Sequence, residues 1–333
     1  MTVKKTLRFI LGLLIAALFV WLITQQINPA EFKQAFADTN QHWIIAGFVA
    51  FSIGYMCRIE RWRQMLKCDN TKLRWIDCFG PLLASFATNN VLPFRAGDIL
   101  RAFAFNGRLG VSSSVVLATL FVERLLDLLM VLILLGSALL YFRLDVNNFA
   151  GVGSIALIGM ALGILLVLLF PRLFAPLAIG IGLFIKRLAP GIGEKLLLEI
   201  KKIMLTLQHL AKGYTMFRLV LWSLAAWLAE GCVFWFAGLA LSSIGAPLAG
   251  WLALPVGTLS TLIPSTPGYV GTFDYFTVRA MSALGNDTTP ATAYALLVHI
   301  LLWLPPTIIG GAYLLLHPTK TSKPVSLSSN KKR

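Results

Sequence analysis

Charge is scarce in this chain. Of its 333 residues, 13% are Asp, Glu, Lys or Arg and 57% are apolar. A soluble domain carries about a quarter charged residues, so that class is excluded. Short alternating segments are missing too, which excludes a membrane β-barrel. The four cysteines, Cys57, Cys68, Cys78 and Cys232, lack metal-ligand spacing and no histidine cluster accompanies them, so neither a metal site nor a disulfide is expected. There is no Walker-type loop, no G-x-S-x-G and no H-E-x-x-H. ATP-driven chemistry is therefore unsupported, and no cofactor is expected. The short outer loops leave no room for a soluble catalytic domain.

What the chain has is apolar runs of the roughly 20 residues that cross a bilayer. The expected fold is all-α and polytopic, with about six full spans and two re-entrant helical hairpins, or eight membrane segments on a simpler count. The expected spans are Thr6–Ile27, His42–Leu66, Ser113–Phe142, a fourth from Gly151 to Phe170 that continues past a proline kink, Phe217–Ile244 and Pro290–Leu316. The first could be a signal peptide, but no small-x-small cleavage site follows its apolar run, so an uncleaved span is expected. The hairpins are Ile76–Leu92 with a short helix Ile99–Asn106, and Leu248–Ile263 with Thr272–Leu284. Glu194–Lys212 reads as an amphipathic helix resting on the membrane surface. The expected domain is 1–317, followed by a basic cytoplasmic tail, 318–333.

The net charge of +15 suggests nucleic acid at first sight. Topology explains it better. With both termini in the cytoplasm of a bacterial inner-membrane protein, 22 of the 29 basic residues fall in cytoplasmic segments, as the positive-inside rule requires. That count takes Arg58 and Arg61, at the end of the second span, with the cytoplasmic charges. The units 42–142 and 217–316, joined by 143–216, then read as inverted repeats, an architecture of many transporters whose interrupted helices meet near the midplane.

Three motifs could carry chemistry. In "LPFRAGDILR" (Leu92–Arg101), Pro93 and Gly97 suit a sharp turn, and Asp98 suits the N-cap of the next helix. Neither role explains Arg95 and Arg101, whose guanidiniums suit a phosphate or carboxylate; Asn90 precedes them. In "FVERLLDLLM" (Phe121–Met130), Glu123 and Asp127 share a helix face and Arg124 can reach Asp127. Two such carboxylates require a proton or a cation, for which Arg95 or Arg101 is a candidate. A static clamp and a transport role stand level here. In "LIPSTPGYVGTFDYF" (Leu262–Phe276), Pro264, Pro267, Gly268 and Gly271 break a helix, Ser265 and Thr266 can bond a headgroup, Thr272 can cap the next helix, and Asp274 sits in its first turn. Glu230, the lone acid in its span, reads as a neutral hydrogen-bonding group or a proton-coupling one. His299 reads as a core histidine.

Together the motifs resemble the flippase-like family that includes the transmembrane half of the bacterial lysylphosphatidylglycerol synthases, the multiple peptide resistance factors. The resemblance covers roughly Asn89 to Leu316, through "NNVLPFRAGDILRAF", "ERLLDLL" and "IPSTPGYVGTFD". Tyr269 stands where the family tends to show a second glycine, and Asp274 where it tends to show glutamate. Larger members carry a soluble aminoacyl-transfer domain; lysyl transfer is not expected here. The resemblance implies a flippase or transporter of a phospholipid or lipid-linked headgroup, with Arg95 and Arg101 on the phosphate. Two alternatives stand: a membrane-embedded glycosyl or other lipid transferase, and a non-catalytic scaffold for envelope-synthesis enzymes.

Overall fold

The computed structural model describes residues 39–92, 95–144, 154–263 and 267–317. The expected first span and the tail lie outside them, as do Pro93, Pro264, Ser265 and Thr266. Among the described residues the chain is helical, with one isolated antiparallel bridge between Thr39 and Leu241. In order, the helices are α1 (Gln41–Leu66), α2 (Trp75–Val91), α3 (Ala96–Phe103), α4 (Asn106–Leu109), α5 (Ser113–Tyr141), α6 (Ser154–Leu169), α7 (Pro171–Leu188), α8 (Pro190–Leu210), α9 (Gly213–Ala240), α10 (Gly250–Ser260), α11 (Thr272–Ser282) and α12 (Thr288–Leu316). Single 3-10 turns occupy Pro247–Ala249 and Pro267–Tyr269.

Helices α1, α9 and α12 are each long and apolar enough to cross a membrane. The pair α6–α7 adds a fourth crossing if it is taken as one broken span, but it bends by 87°. Pro171, lacking an amide hydrogen, starts a new helix here and does not merely kink the old one. The chain is thus a multi-pass helical membrane protein. Helix α5 has 29 residues, ample length, but carries Glu123, Arg124 and Asp127 within two turns. Helix α2 has 17 residues, about 25 Å at 1.5 Å per residue, short of a hydrocarbon core of about 30 Å.

Helix starts follow side-chain chemistry. Asn40 Oδ1 accepts the His42 amide at 3.0 Å and Ser112 Oγ caps α5, each satisfying a first-turn donor. Helix α8 begins four residues before the expected amphipathic segment and has the expected two faces: Leu197 and Leu207 are buried while Lys195, Lys201 and Lys202 are exposed. It packs on α7 and α5, where Glu199 accepts from Ser114 of α5. That bond and Lys202 hold the Glu199 carboxyl below the usual range.

Helices α1 and α9 run antiparallel over most of their length, Asn40 meeting Ala240 and Gly54 facing the Ala226 carbonyl. Helices α2 and α12 pack antiparallel too: Gly80 lies under the Tyr313 ring, and Gly310 against the Leu83 carbonyl. Helix α10 lies against α5. The short α2 of the first unit thus pairs with the long closing helix of the second, and the short α10 of the second pairs with the long closing helix of the first. Small residues at such crossings let backbones approach where no hydrophobic effect drives association.

Two adjacent glycines test this packing. A Cβ on Gly310 would stand 2.1 Å from the Leu83 carbonyl oxygen, whereas one on Gly311 meets nothing within 4 Å. Gly310→Ala is expected to lower stability in detergent by about 1–3 kcal/mol. Gly311→Ala should be neutral or stabilising by up to about 1 kcal/mol. Thermal unfolding of both variants checks the contrast.

Candidate functional site

The first interrupted segment turns between α2 and α3. The left-handed residue is Arg95, at φ 52° and ψ 43°, which precedes α3. Gly97 is instead a helical contact residue: a Cβ there would lie 1.9 Å from the Ser85 carbonyl oxygen of α2. Asn89 staples the turn, its Oδ1 accepting the Gly97 amide at 2.8 Å and its Nδ2 donating to Asp98 Oδ1 at 3.1 Å. Asp98 is therefore not the N-cap but a residue inside α3. Its carboxylate also takes Arg124 Nη2 of α5 at 3.2 Å.

The second interrupted segment turns at Gly268, Tyr269 and Gly271, all at positive φ. Gly271, not Thr272, caps α11. Asp274 Oδ2 accepts the Gly271 amide at 2.8 Å, and its Oδ1 lies 2.8 Å from His299 Nδ1 of α12. Thr272 Oγ1 is buried without a partner among the described residues. Pro267 opens the 3-10 turn. The two segments meet: a Cβ on Gly268 would lie 2.6 Å from Trp303 Nε1 and 3.3 Å from the carbonyl oxygen of Asn90. Asn90 Nδ2 in turn donates to Thr307 Oγ1 and the Trp303 carbonyl, at 2.8 and 3.2 Å.

Around this meeting point lies a cavity of about 220 Å³. Its wall takes Asn89, Asn90 and Arg95 from the first segment, Gly268 and Tyr269 from the second, and Arg124, Glu230, Thr258, Thr261 and His299 from the helices around them. Arg95 makes no ion pair among the described residues and is the least committed cation on this wall.

Behind the wall sits a network of ion pairs. Arg101 and Arg61 are each 1% exposed and Glu123 2%. Arg101 Nη2 donates to Glu123 Oε1 at 3.0 Å, with its guanidinium 4.9 Å over the Trp62 ring. Arg61 Nη1 donates to Asp127 Oδ1 at 2.8 Å and to Ser223 Oγ at 2.9 Å; Trp227 Nε1 also donates to Asp127 Oδ1, at 3.1 Å. Arg124 lies within 4.0 Å of Glu123 and Asp127 as well as Asp98. Arg58 pairs with Glu230 and lies over the Trp227 ring at 5.3 Å. Such pairs persist in an apolar interior only when each charge is met.

Two corrections follow. Arg58 and Arg61, counted with the cytoplasmic charges, are instead paired with Glu230 and Asp127 among the packed helices. Glu230, expected as a neutral or proton-coupling group, is met by the Arg58 guanidinium of α1. Of the two candidate cations for the Glu123–Asp127 pair, Arg101 takes Glu123 and Arg95 takes neither, while Arg61 takes Asp127. Arg101 is absent from the cavity wall. The sequence reading passed over Asn89, Arg58, Arg61, Trp227 and Trp303, and set His299 aside. A signal existed for Arg58 and Arg61: three residues apart on an apolar helix, they share a face, and the five acids Asp98, Glu123, Asp127, Glu230 and Asp274 outnumber Arg95, Arg101 and Arg124.

A family model described as "Lysylphosphatidylglycerol synthase TM region" matches residues 9–310. The chain belongs to this family. The match reaches well before Asn89, where the motif-based resemblance begins. Relatives include a protein named glycosyltransferase AglD from Haloferax volcanii, 26% identical over 93% of this chain; the chain spans only 54% of that relative's length. UPF0104 membrane protein MJ1078 from Methanocaldococcus jannaschii is 25% identical over 67% of this chain and 91% of its own length. UPF0104 membrane protein MJ1595 from the same organism is 23% identical over 93% of this chain and 95% of its own length.

The buried pair Arg101–Glu123 gives a direct test of the network. Arg101→Met or Glu123→Leu alone strands the opposite charge and should cost about 3–5 kcal/mol. The double variant should cost less than either single change. A double-mutant cycle on unfolding in detergent checks this; simple additivity would mean that the two side chains do not depend on each other.

Proposed function

We propose that the protein is a lipid flippase or lipid transporter whose cavity receives an anionic or lipid-linked headgroup while the acyl chains stay in the bilayer. The observation that carries this reading is the meeting of two interrupted segments at one cavity of mixed lining, with Arg95 among the polar groups on its wall. Irregular backbone at membrane depth is tolerated where it is covered by protein or lines a water-filled cavity. A guanidinium held in a low-dielectric wall binds phosphate far better than one in water. Arg95 holds the phosphate, while Asn90, Arg101 and the already paired Arg124 hold the wall in place.

In this reading the units 42–142 and 217–316 are inverted repeats, the two short segments are re-entrant hairpins, and six spans cross a bacterial inner membrane with both termini in the cytoplasm. The reciprocal pairing of α2 with α12 and α10 with α5 supports the repeat. The antiparallel pairing of α1 with α9, which hold the same place in each unit, supports it as well. The lengths of α2 and α10, 17 and 11 residues, support re-entry over crossing.

A second reading, a membrane-embedded lipid transferase, draws on the name of the Haloferax volcanii relative. There Asp274 and His299 act as the base, because a carboxylate–imidazole pair on a cavity wall suits proton abstraction.

Reconstituted liposomes separate the readings. Wild-type protein should speed transbilayer movement of a fluorescent phosphatidylglycerol. Arg95→Ala, losing a charge-assisted contact worth about 1.5–3 kcal/mol, should slow it at least about tenfold. Asp127→Asn should slow it too, by freeing Arg61. Equal movement in all three and in empty vesicles would contradict the transporter reading. Transfer to a lipid acceptor in detergent, where no bilayer exists to flip across, would favour the second.

A further inference from the structure

Among the described residues, the charges at and behind the cavity balance. Arg58, Arg61, Arg101 and Arg124 pair with Glu230, Asp127, Glu123 and Asp98 respectively. Arg95 remains on one side and Asp274 on the other, the latter against His299. Five arginines therefore face five carboxylates, and with His299 neutral the set carries no net charge. A phosphodiester entering it brings one uncompensated negative charge. Uncompensated charge in a low-dielectric site costs several kcal/mol and is relieved most cheaply by a proton on a group able to take one.

His299 is that group. Asp274 Oδ1 lies 2.8 Å from Nδ1, which fixes the Nδ1–H tautomer and leaves Nε2 as the other nitrogen of a ring on the cavity wall. Neutral, Nε2 is an acceptor and repels a phosphate oxygen. Protonated, it is a donor and an added positive charge. The Phe273 ring stands edge-on to the imidazole at 5.4 Å between centroids. The titratable and charged groups around the cavity are Asp274 of α11, Glu230 of α9, Arg124 of α5, Arg95 before α3 and Tyr269 of the second turn. Arg124 and Glu230 are already paired, and among the described polar groups on the wall α2 offers Asn89 and Asn90, and α10 and its C-cap offer Thr258 and Thr261.

We infer that the cavity takes a monoanionic phosphodiester together with one proton, and that His299 Nε2 is where the proton is held. The inference rests on the headgroup reading above. A zwitterionic headgroup, carrying its own cation, needs no such proton. His299 thereby distinguishes two lipids with the same phosphate by their net charge.

The test uses the purified full chain in dodecylmaltoside micelles, with fluorescent phosphatidylglycerol and fluorescent phosphatidylcholine as probes. Binding is followed from about pH 5 to about pH 8, the interval in which histidines change charge. Proton uptake is read with an indicator dye in weak buffer. Wild type should bind phosphatidylglycerol about tenfold more weakly at the alkaline end and take up about one proton per lipid there, because linked binding and protonation are reciprocal. Phosphatidylcholine should bind without uptake. His299→Gln keeps an amide donor that cannot titrate; it should bind phosphatidylglycerol with a flat profile and no uptake. Asp274→Asn leaves the imidazole but removes the carboxylate on Nδ1, and should reduce uptake. Binding in wild type with no uptake, or a profile that survives His299→Gln, would overturn the role of His299 and leave the cavity reading standing. If wild type and Arg95→Ala bind both probes equally weakly, the headgroup reading fails and this inference with it.

Discussion

Three charged side chains in two turns of one apolar helix constrain everything around them. Glu123, Arg124 and Asp127 of α5 have no tolerable position facing lipid, so the helices that meet them must bring partners. Helix α3 brings Arg101 and Asp98, α1 brings Arg61, and α9 brings Trp227. These contacts fix the rotation of α5, because turning it would strip several charges of their partners at once. They also fix the depth of α3, which no long apolar face could anchor in eight residues. Two of the largest fully buried side chains of the protein are accordingly arginines, Arg61 and Arg101.

Ion pairs at 2.8–3.0 Å require backbones close enough for those side chains to reach. Glycine supplies that closeness where it matters for the cavity. Gly97 brings α3 onto the Ser85 carbonyl, and Gly268 brings the second turn onto Trp303 and Asn90. Only glycine meets both demands at position 268, where φ is 71° and a Cβ would strike the indole nitrogen. The cavity wall is thus built by close approach, and the pairs behind it hold the approach in place. Arg95, left out of the pairing, faces the space that results.

Much of this was legible in the sequence. The apolar runs give α1, α9 and α12 to within a few residues, and the spacing of Glu123 and Asp127 places both acids on one inward face. The interrupted segments announce themselves through Pro, Gly and Asn. Other features were misread for physical reasons. Arg58 and Arg61 lie near the end of an apolar run, where the positive-inside rule counts basic residues as aqueous; only their acids, far away in sequence, reveal them as interior. Asp98 has the residue type of a cap, but its oxygens serve Asn89 and Arg124. Gly97 reads as a turn residue until the Ser85 carbonyl stands against it. Pro171 reads as a kink, yet the helix leaves at 87°. In each case a partner distant in sequence decides the role, and local pattern carries no information about it.

Both interrupted segments border one cavity of mixed lining inside the apolar bundle, and a headgroup can enter it only if water reaches it. Thr258 of α10 and Thr261 at its C-cap lie on the cavity wall, whereas Leu301 of α12 is buried in the core. Single cysteines at these three positions, in a protein whose four native cysteines are replaced, can be challenged with a membrane-impermeant maleimide in liposomes. The account predicts labelling at 258 and 261, slowed by phosphatidylglycerol in the vesicles, and none at 301. Absence of labelling at both 258 and 261, while an exposed control such as position 107 reacts, would contradict it.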